Sequence, residues 1–161
     1  MYLFRLAKYE DLDDVILMVR ERIEWFRSKD ILQWREYLIH HPVEEWAKAI
    51  TNKQLYVVLD DDKVIGCIQF QYYDPEYWDD TYQLYIKKLC TKVGYKKVGK
   101  VLIDEAIKLA KEKNISKIRL DCRSTNMALN KIYEDYGFRL VRSGTLSRYP
   151  YPFNLREMEI K

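Results

Sequence analysis

The chain has 161 residues, and residues 1–161 read as one compact domain with a sizeable core. Lys and Arg number 28 against 25 Asp and Glu, a formal net charge of +3. That balance argues against nucleic acid as the main partner. No leader-like start and no long apolar run is visible, so a cytoplasmic protein outside the membrane is expected. The three cysteines, Cys67, Cys90 and Cys122, sit in apolar runs without CxxC spacing. They read as buried free thiols, and no metal is expected.

Tyr2–Leu6 reads as a short strand. Glu10, Asp11, Asp13 and Asp14 suit a helix start, where acids meet the positive end of the dipole. Leu12, Val15, Ile16, Val19, Ile23 and Phe26 then recur every three or four residues, predicting an amphipathic helix. Ser28-Lys29-Asp30 interrupts it. Trp34, Tyr37 and Leu38 suggest a second helical piece ending near His40-His41-Pro42. Pro42 with Glu44 and Glu45 opens another helix, through Trp46 and Ile50. His40 and His41 read first as a surface turn; a role as base requires that turn to fold over a cleft.

Gln54–Leu59 and Lys63–Tyr72 read as a hairpin around Asp60-Asp61-Asp62. That turn reads as solvated, not as a cation site, because no further ligand pattern follows. Residues 73–80 are acidic and aromatic together. They form either an ordinary surface loop or a cradle that holds a cationic amine by charge and ring faces.

Leu84–Thr91 is a further strand, followed by a loop, Lys92–Gly99, with two glycines and several lysines. A helix begins at Val98 and runs through Ala110. Unpartnered N–H groups and the dipole make a helix start an anion site, so the stretch reads as a pocket for a phosphorylated ligand. Lys117–Cys122 is a strand. A helix follows from Asn126 to the turn at Gly137, with Ser124 or Thr125 as a candidate cap. Phe138–Val141 reads as a strand, and Gly144–Pro152 as irregular with Tyr149-Pro150-Tyr151-Pro152 a stiff turn. Phe153–Ile160 reads as the last strand.

Asn126-Met127-Ala128-Leu129-Asn130-Lys131-Ile132-Tyr133-Glu134-Asp135-Tyr136-Gly137-Phe138 resembles the Asn-x-x-Ala-x-x-x-Tyr-x-x-x-Gly-Phe of the Gcn5-related N-acetyltransferase (GNAT) superfamily. The loop at 94–99 resembles that family's Gln/Arg-x-x-Gly-x-Gly/Ala. Gly99 fits the last glycine, Lys97 stands at the middle glycine and Gly94 at the opening Gln/Arg. In a register two residues shorter, Tyr95-Lys96 matches the family's Tyr-Arg. The opening Phe4-Arg5-Leu6-Ala7 with Glu10-Asp11 resembles a common start of the family, and Ile31-Leu32-Gln33-Trp34 resembles a segment of a bacterial small-molecule subgroup.

The resemblance implies a mixed α/β fold in the order β-α-α-β-β-β-α-β-α-β-β. Its sheet is mostly antiparallel, with one parallel pair joined by the helix at 98–113. It also implies an N-acetyltransferase that moves an acetyl group from acetyl-CoA to a primary amine of a small molecule, without a metal. By resemblance the Leu89 N–H meets the thioester carbonyl, and Cys90 and Thr91 border the pantetheine arm. Lys96, Lys97, Val98, Gly99 and Lys100 offer N–H groups to the pyrophosphate. Asn126 bonds the arm, although its local reading is a helix cap. Tyr133 acts as general acid; proximity alone does not separate it from Tyr136, and the family register does. The base is open: Tyr85 stands where some members carry glutamate, Lys87 where the subgroup carries histidine, and Glu76, Asp79 and Asp80 lie in the neighbouring loop. Dimers are common in the family. The acceptor stays open between small amines and a peptide or protein N-terminus. A domain that binds acyl-CoA as a silent sensor is the competing reading.

Overall fold

A computed structural model describes residues 1–147, 149 and 151–161. The elements run β1 (Tyr2–Leu6), α1 (Leu12–Ser28), α2 (Tyr37–His40), α3 (Val43–Thr51), β2 (Leu55–Asp60), β3 (Lys63–Gln71), β4 (Leu84–Thr91), α4 (Val98–Glu112), β5 (Lys117–Arg123), α5 (Met127–Tyr136), β6 (Arg139–Thr145) and β7 (Pro152–Glu159). The strands form one mixed sheet of seven, ordered β1-β2-β3-β4-β5-β7-β6. The pair β4/β5 is parallel, and a parallel pair needs a crossover, which α4 supplies. The expected mixed α/β fold is thus present. The one-turn helix α2 is the second helical piece expected to end near His40; it adds one helix to the order implied by the resemblance.

Two compact units share the chain: Met1–Phe70 with Lys88–Glu105, and Gln71–Lys87 with Ala106–Lys161. In the first, the apolar stripe of α1 (Val15, Met18, Val19) and the inner face of α3 (Trp46, Ala49, Ile50) pack on Leu55, Val57, Cys67 and Cys90. The α1 periodicity is therefore the imprint of a sheet face. Trp46 is fully buried and donates its indole N–H to the His41 carbonyl at 3.1 Å, as a buried tryptophan must. Asp30, left-handed at φ 55°, stands just past the end of α1. Asp11 stands at the helix start as expected, the N-cap residue of α1, and its carboxylate accepts from two guanidinium nitrogens of Arg5 and from the Lys8 N–H.

In the second unit, β5, β7 and β6 are joined by antiparallel ladders. Glu157, almost fully buried, holds Arg119, Arg139 and Lys117. Gly137 closes α5 in the left-handed region at φ 105°, and Phe138 then enters the core. Strand β6 continues through Gly144, beyond the expected end at Val141. Gly144 lies opposite Phe153, where a Cβ would stand 3.0 Å from the ring. The glycine therefore continues the strand beneath an aromatic cover instead of breaking it. Pro152, expected in the turn, is the first residue of β7, a position that asks no N–H of the ladder. Pro150 of the expected stiff turn lies outside the described residues.

Candidate functional site

In the first unit the candidate donor strand is shaped by its backbone. Lys88 is left-handed, at φ 51°, which for a side chain of this size costs on the order of 1–3 kcal/mol. Its ammonium is buried, 3.2 Å from the Glu45 carboxylate and 5.3 Å from the Trp46 ring centre. The Cys67 thiol donates to the Lys88 carbonyl. Burial pushes the Glu45 carboxyl up, but the His41 hydrogen bond (2.7 Å) and the Lys88 charge pull it down to about 2. Leu89 follows the kink. Cys90 is buried, and burial pushes its thiol up to about 12, so it is no nucleophile at neutral pH.

At Thr91 the strand meets a side chain that the sequence reading passed over. Arg22 of α1 donates twice to the Thr91 carbonyl (2.9 and 3.1 Å) and once to its hydroxyl. The next residue, Lys92, gives its ammonium to Glu21 at 2.9 Å and its N–H to the Ile65 carbonyl. The loop then turns through two left-handed residues, Gly94 (φ 93°) and Lys97 (φ 65°), and the Lys97 carbonyl accepts the Val101 N–H as α4 begins. Lys97 thus holds a left-handed conformation that glycine adopts more readily.

The first turn of α4 has no acidic residue. Lys100 is tied to Asp104 at 2.7 Å, whereas Lys96 and Lys97 have no ion pair among the described residues. A Cβ at Gly99 would meet nothing within 4 Å, which leaves the open approach to backbone N–H groups that a phosphate needs. Val98 is buried against Gly66, where a Cβ would lie 2.7 Å from the valine methyl. Gly66 therefore lets the start of α4 sit close to β3.

In the second unit the structure places Asn126 as the N-cap of α5: its side-chain oxygen accepts the Leu129 N–H at 3.1 Å. The local reading of this residue holds in the fold. Its neighbour Asn130 carries more than the sequence suggested. Its amide nitrogen donates to the carbonyls of Arg123 and Asn126. Its oxygen accepts from Asn154 and Arg156, both at 2.9 Å. A polar residue on the apolar face of α5 was the signal in the sequence.

Tyr133 is 6% exposed and stands edge-on to Phe138. Its hydroxyl makes no hydrogen bond among the described residues, and it is not among the buried polar atoms left without a partner, so the oxygen reaches solvent while the ring is buried. Burial first, then the nearby Cys122 and Asp121, push it well above the ordinary range. It therefore keeps its proton across the working pH range. Tyr136 is only half-buried, so burial as well as register separates the two.

Three base candidates of the second unit, Lys87, Tyr85 and Asp79, are engaged in structural pairs. The Lys87 ammonium lies between Asp74 (2.6 Å) and Asp121 (2.7 Å), with the Tyr77 ring 4.7 Å away. Burial opposes its charge, but Asp121 and Asp74 outweigh that and raise it above the usual lysine value. A lysine so held does not accept a proton. Tyr85 donates to the Thr81 carbonyl and accepts from Arg119. Asp79 pairs with Arg119, which also lies over Trp78. The acidic and aromatic loop does hold cations by charge and ring faces; they are Lys87 and Arg119 of the chain itself.

No helix among the described residues is long and apolar enough to cross a membrane. No curated protein sequence matches the chain. Among solved structures, it is similar to the PaiA N-acetyltransferase of Thermoplasma acidophilum in complex with coenzyme A, 22% identical over 99% of both chains with a TM-score of 0.75. A GNAT-family acetyltransferase of Streptococcus agalactiae is 16% identical over 99% of this chain and 95% of that one, with a TM-score of 0.80. The ribosomal-protein-S18-alanine N-acetyltransferase of Escherichia coli is 11% identical over 100% and 95%, with a TM-score of 0.70. At these identities the likeness is one of fold. The profile of the Acetyltransferase (GNAT) family matches residues 19–138, and the chain belongs to that family.

Proposed function

We propose that this acetyltransferase moves an acetyl group from acetyl-CoA to a primary amine of a small molecule, by direct attack in a ternary complex. The Leu89 N–H polarises the thioester carbonyl, with Cys90 and Thr91 beside the pantetheine arm. The N–H groups of Lys96, Lys97, Val98, Gly99 and Lys100 hold the pyrophosphate, and the ammonium groups of Lys96 and Lys97 add charge. Asn126 contacts the arm while its oxygen caps α5. The amine nitrogen bonds to the acetyl carbon, the carbon–sulfur bond breaks, and Tyr133 gives its proton to the departing thiolate. The amine loses its own proton to solvent. The observation that carries this reading is the hydroxyl of the buried Tyr133, which spends its proton on no hydrogen bond among the described residues and stands at the family's tyrosine position.

Tyr133→Phe tests it. Release of free thiol from acetyl-CoA in the presence of amines falls about 100-fold, within the range for loss of a general acid. The melting temperature stays near that of the wild type, because no hydrogen bond is removed. Unchanged turnover in a folded variant sinks the assignment.

With Lys87 locked as a cation, the reading favours acceptors that are partly neutral without help. A peptide or protein N-terminus, with an α-amino pKa of about 8, is the alternative acceptor. The similar E. coli protein, a ribosomal-protein-S18-alanine N-acetyltransferase, supports keeping that alternative. A second reading, a silent acyl-CoA sensor, draws on the left-handed Lys97 in the loop; it predicts binding of acetyl-CoA without thiol release. The chain acts as a single acetyltransferase domain, and its three buried free thiols suit a reducing cytoplasm.

A further inference from the structure

We propose that Arg22 is a positioning residue for the acetyl donor, fixing the strand segment that receives the pantetheine arm; this rests on the donor reading above. Arg22 is a half-buried cation with no carboxylate partner among the described residues. Its hydrogen bonds go to neutral oxygens of a single residue, Thr91, and its guanidinium lies 4.9 Å from the Trp25 ring centre. Removing a guanidinium from water costs free energy that charge-assisted bonds must offset. Here those bonds fix the peptide plane at the exit of β4.

Side chains from the helices hold both ends of the Leu89–Cys90 dipeptide. On one side Glu45 of α3 grips Lys88, at the left-handed kink. On the other Arg22 grips Thr91, and Glu21 grips Lys92. At Lys88 the strand departs from extended backbone, with φ 51°. The direction in which the Leu89 N–H points is set by these grips, an instance of preorganisation by supporting residues. The loop and the start of α4 have their own anchors on β3: the Lys92 N–H on Ile65 and the Val98 side chain against Gly66. Arg22 therefore acts on the arm-binding strand and not on the phosphate loop.

The test is calorimetry on the full chain with two probes: coenzyme A, which has the pantetheine arm, and 3′,5′-ADP, which lacks it. Arg22→Met weakens coenzyme A about 10-fold and 3′,5′-ADP less than about twofold. Arg22→Lys, which keeps the charge and part of the donor set, recovers about half of the loss on a logarithmic scale. A folded Arg22→Met that binds coenzyme A as the wild type does overturns the proposal. Equal weakening of both probes overturns it as well, since that marks general loosening. If Arg22→Met does not fold, Arg22→Lys decides: about threefold weaker coenzyme A with unchanged 3′,5′-ADP supports the role, and no change in either overturns it. A wild type that binds neither probe defeats the donor reading itself, a result distinct from a failure of Arg22 alone.

Discussion

The stretch from Lys88 to Val101 and the stretch from Asn126 to Phe138 both carry family motifs, but they are built differently. The first is specified by backbone: left-handed Lys88, Gly94 and Lys97, with side chains from α1 and α3 gripping it from outside. The second is specified by side chains: an asparagine cap, the fully used Asn130 amide, a buried tyrosine and a left-handed glycine stop. A motif made of side-chain chemistry survives as letters in a sequence. A motif made of φ angles does not, because lysine can take the place of glycine when the surroundings compensate.

If that contrast is right, the second stretch and the pairs around it fail sharply when one side chain is removed. Lys87→Met leaves Asp74 and Asp121 facing each other without their shared cation. The expected loss is about 3–5 kcal/mol in urea unfolding. Asn130→Ala strands the Asn154 and Arg156 donors; about 3 kcal/mol is expected, the upper part of the range for buried groups left unpaired. A loss of only ~0.5 kcal/mol for either, the size of a surface substitution, breaks the comparison.

The backbone-built stretch responds more gently and in the opposite direction. Lys97→Gly relieves the left-handed lysine and gains roughly 1 kcal/mol or less after the added chain entropy of glycine. A destabilised variant instead means that the Lys97 side chain holds the loop by a contact.

Glu45 supplies a pH signature of the same stretch. Its native value of about 2 lies below its ordinary 4.5. Between those values the unfolded chain binds the extra proton and the native one does not, so stability rises with pH there. The contribution is complete above about pH 4.5 and is lost as pH falls toward 2. Glu45→Gln flattens that acid limb in a urea series, and an unchanged limb removes Glu45 as the residue that ties Lys88.

The helices, the hairpin and the Gly137–Phe138 stop were legible because each is written locally, in periodicity or turn chemistry. The cap of α5 was legible only to within two residues: Ser124 or Thr125 was the expected candidate beside the local reading of Asn126, and Asn126 holds the position. The continuation of β6 through Gly144 was not, since it depends on the Phe153 ring across the ladder. Nor was the engagement of Lys87, whose two carboxylates lie 13 and 34 residues away in the chain. Arg22 was hidden for a like reason, with 69 residues separating it from Thr91. The acidic and aromatic loop was read for its ability to hold a cation; only the fold reveals that lysine and arginine of the same unit already fill that role.

The most direct test follows thiol release from acetyl-CoA with a panel of primary amines, comparing the wild type with Tyr133→Phe. The account predicts release that depends on the amine and falls about 100-fold in the variant. Acetyl-CoA bound without amine-dependent release by the wild type, or equal rates for the two proteins, would contradict it.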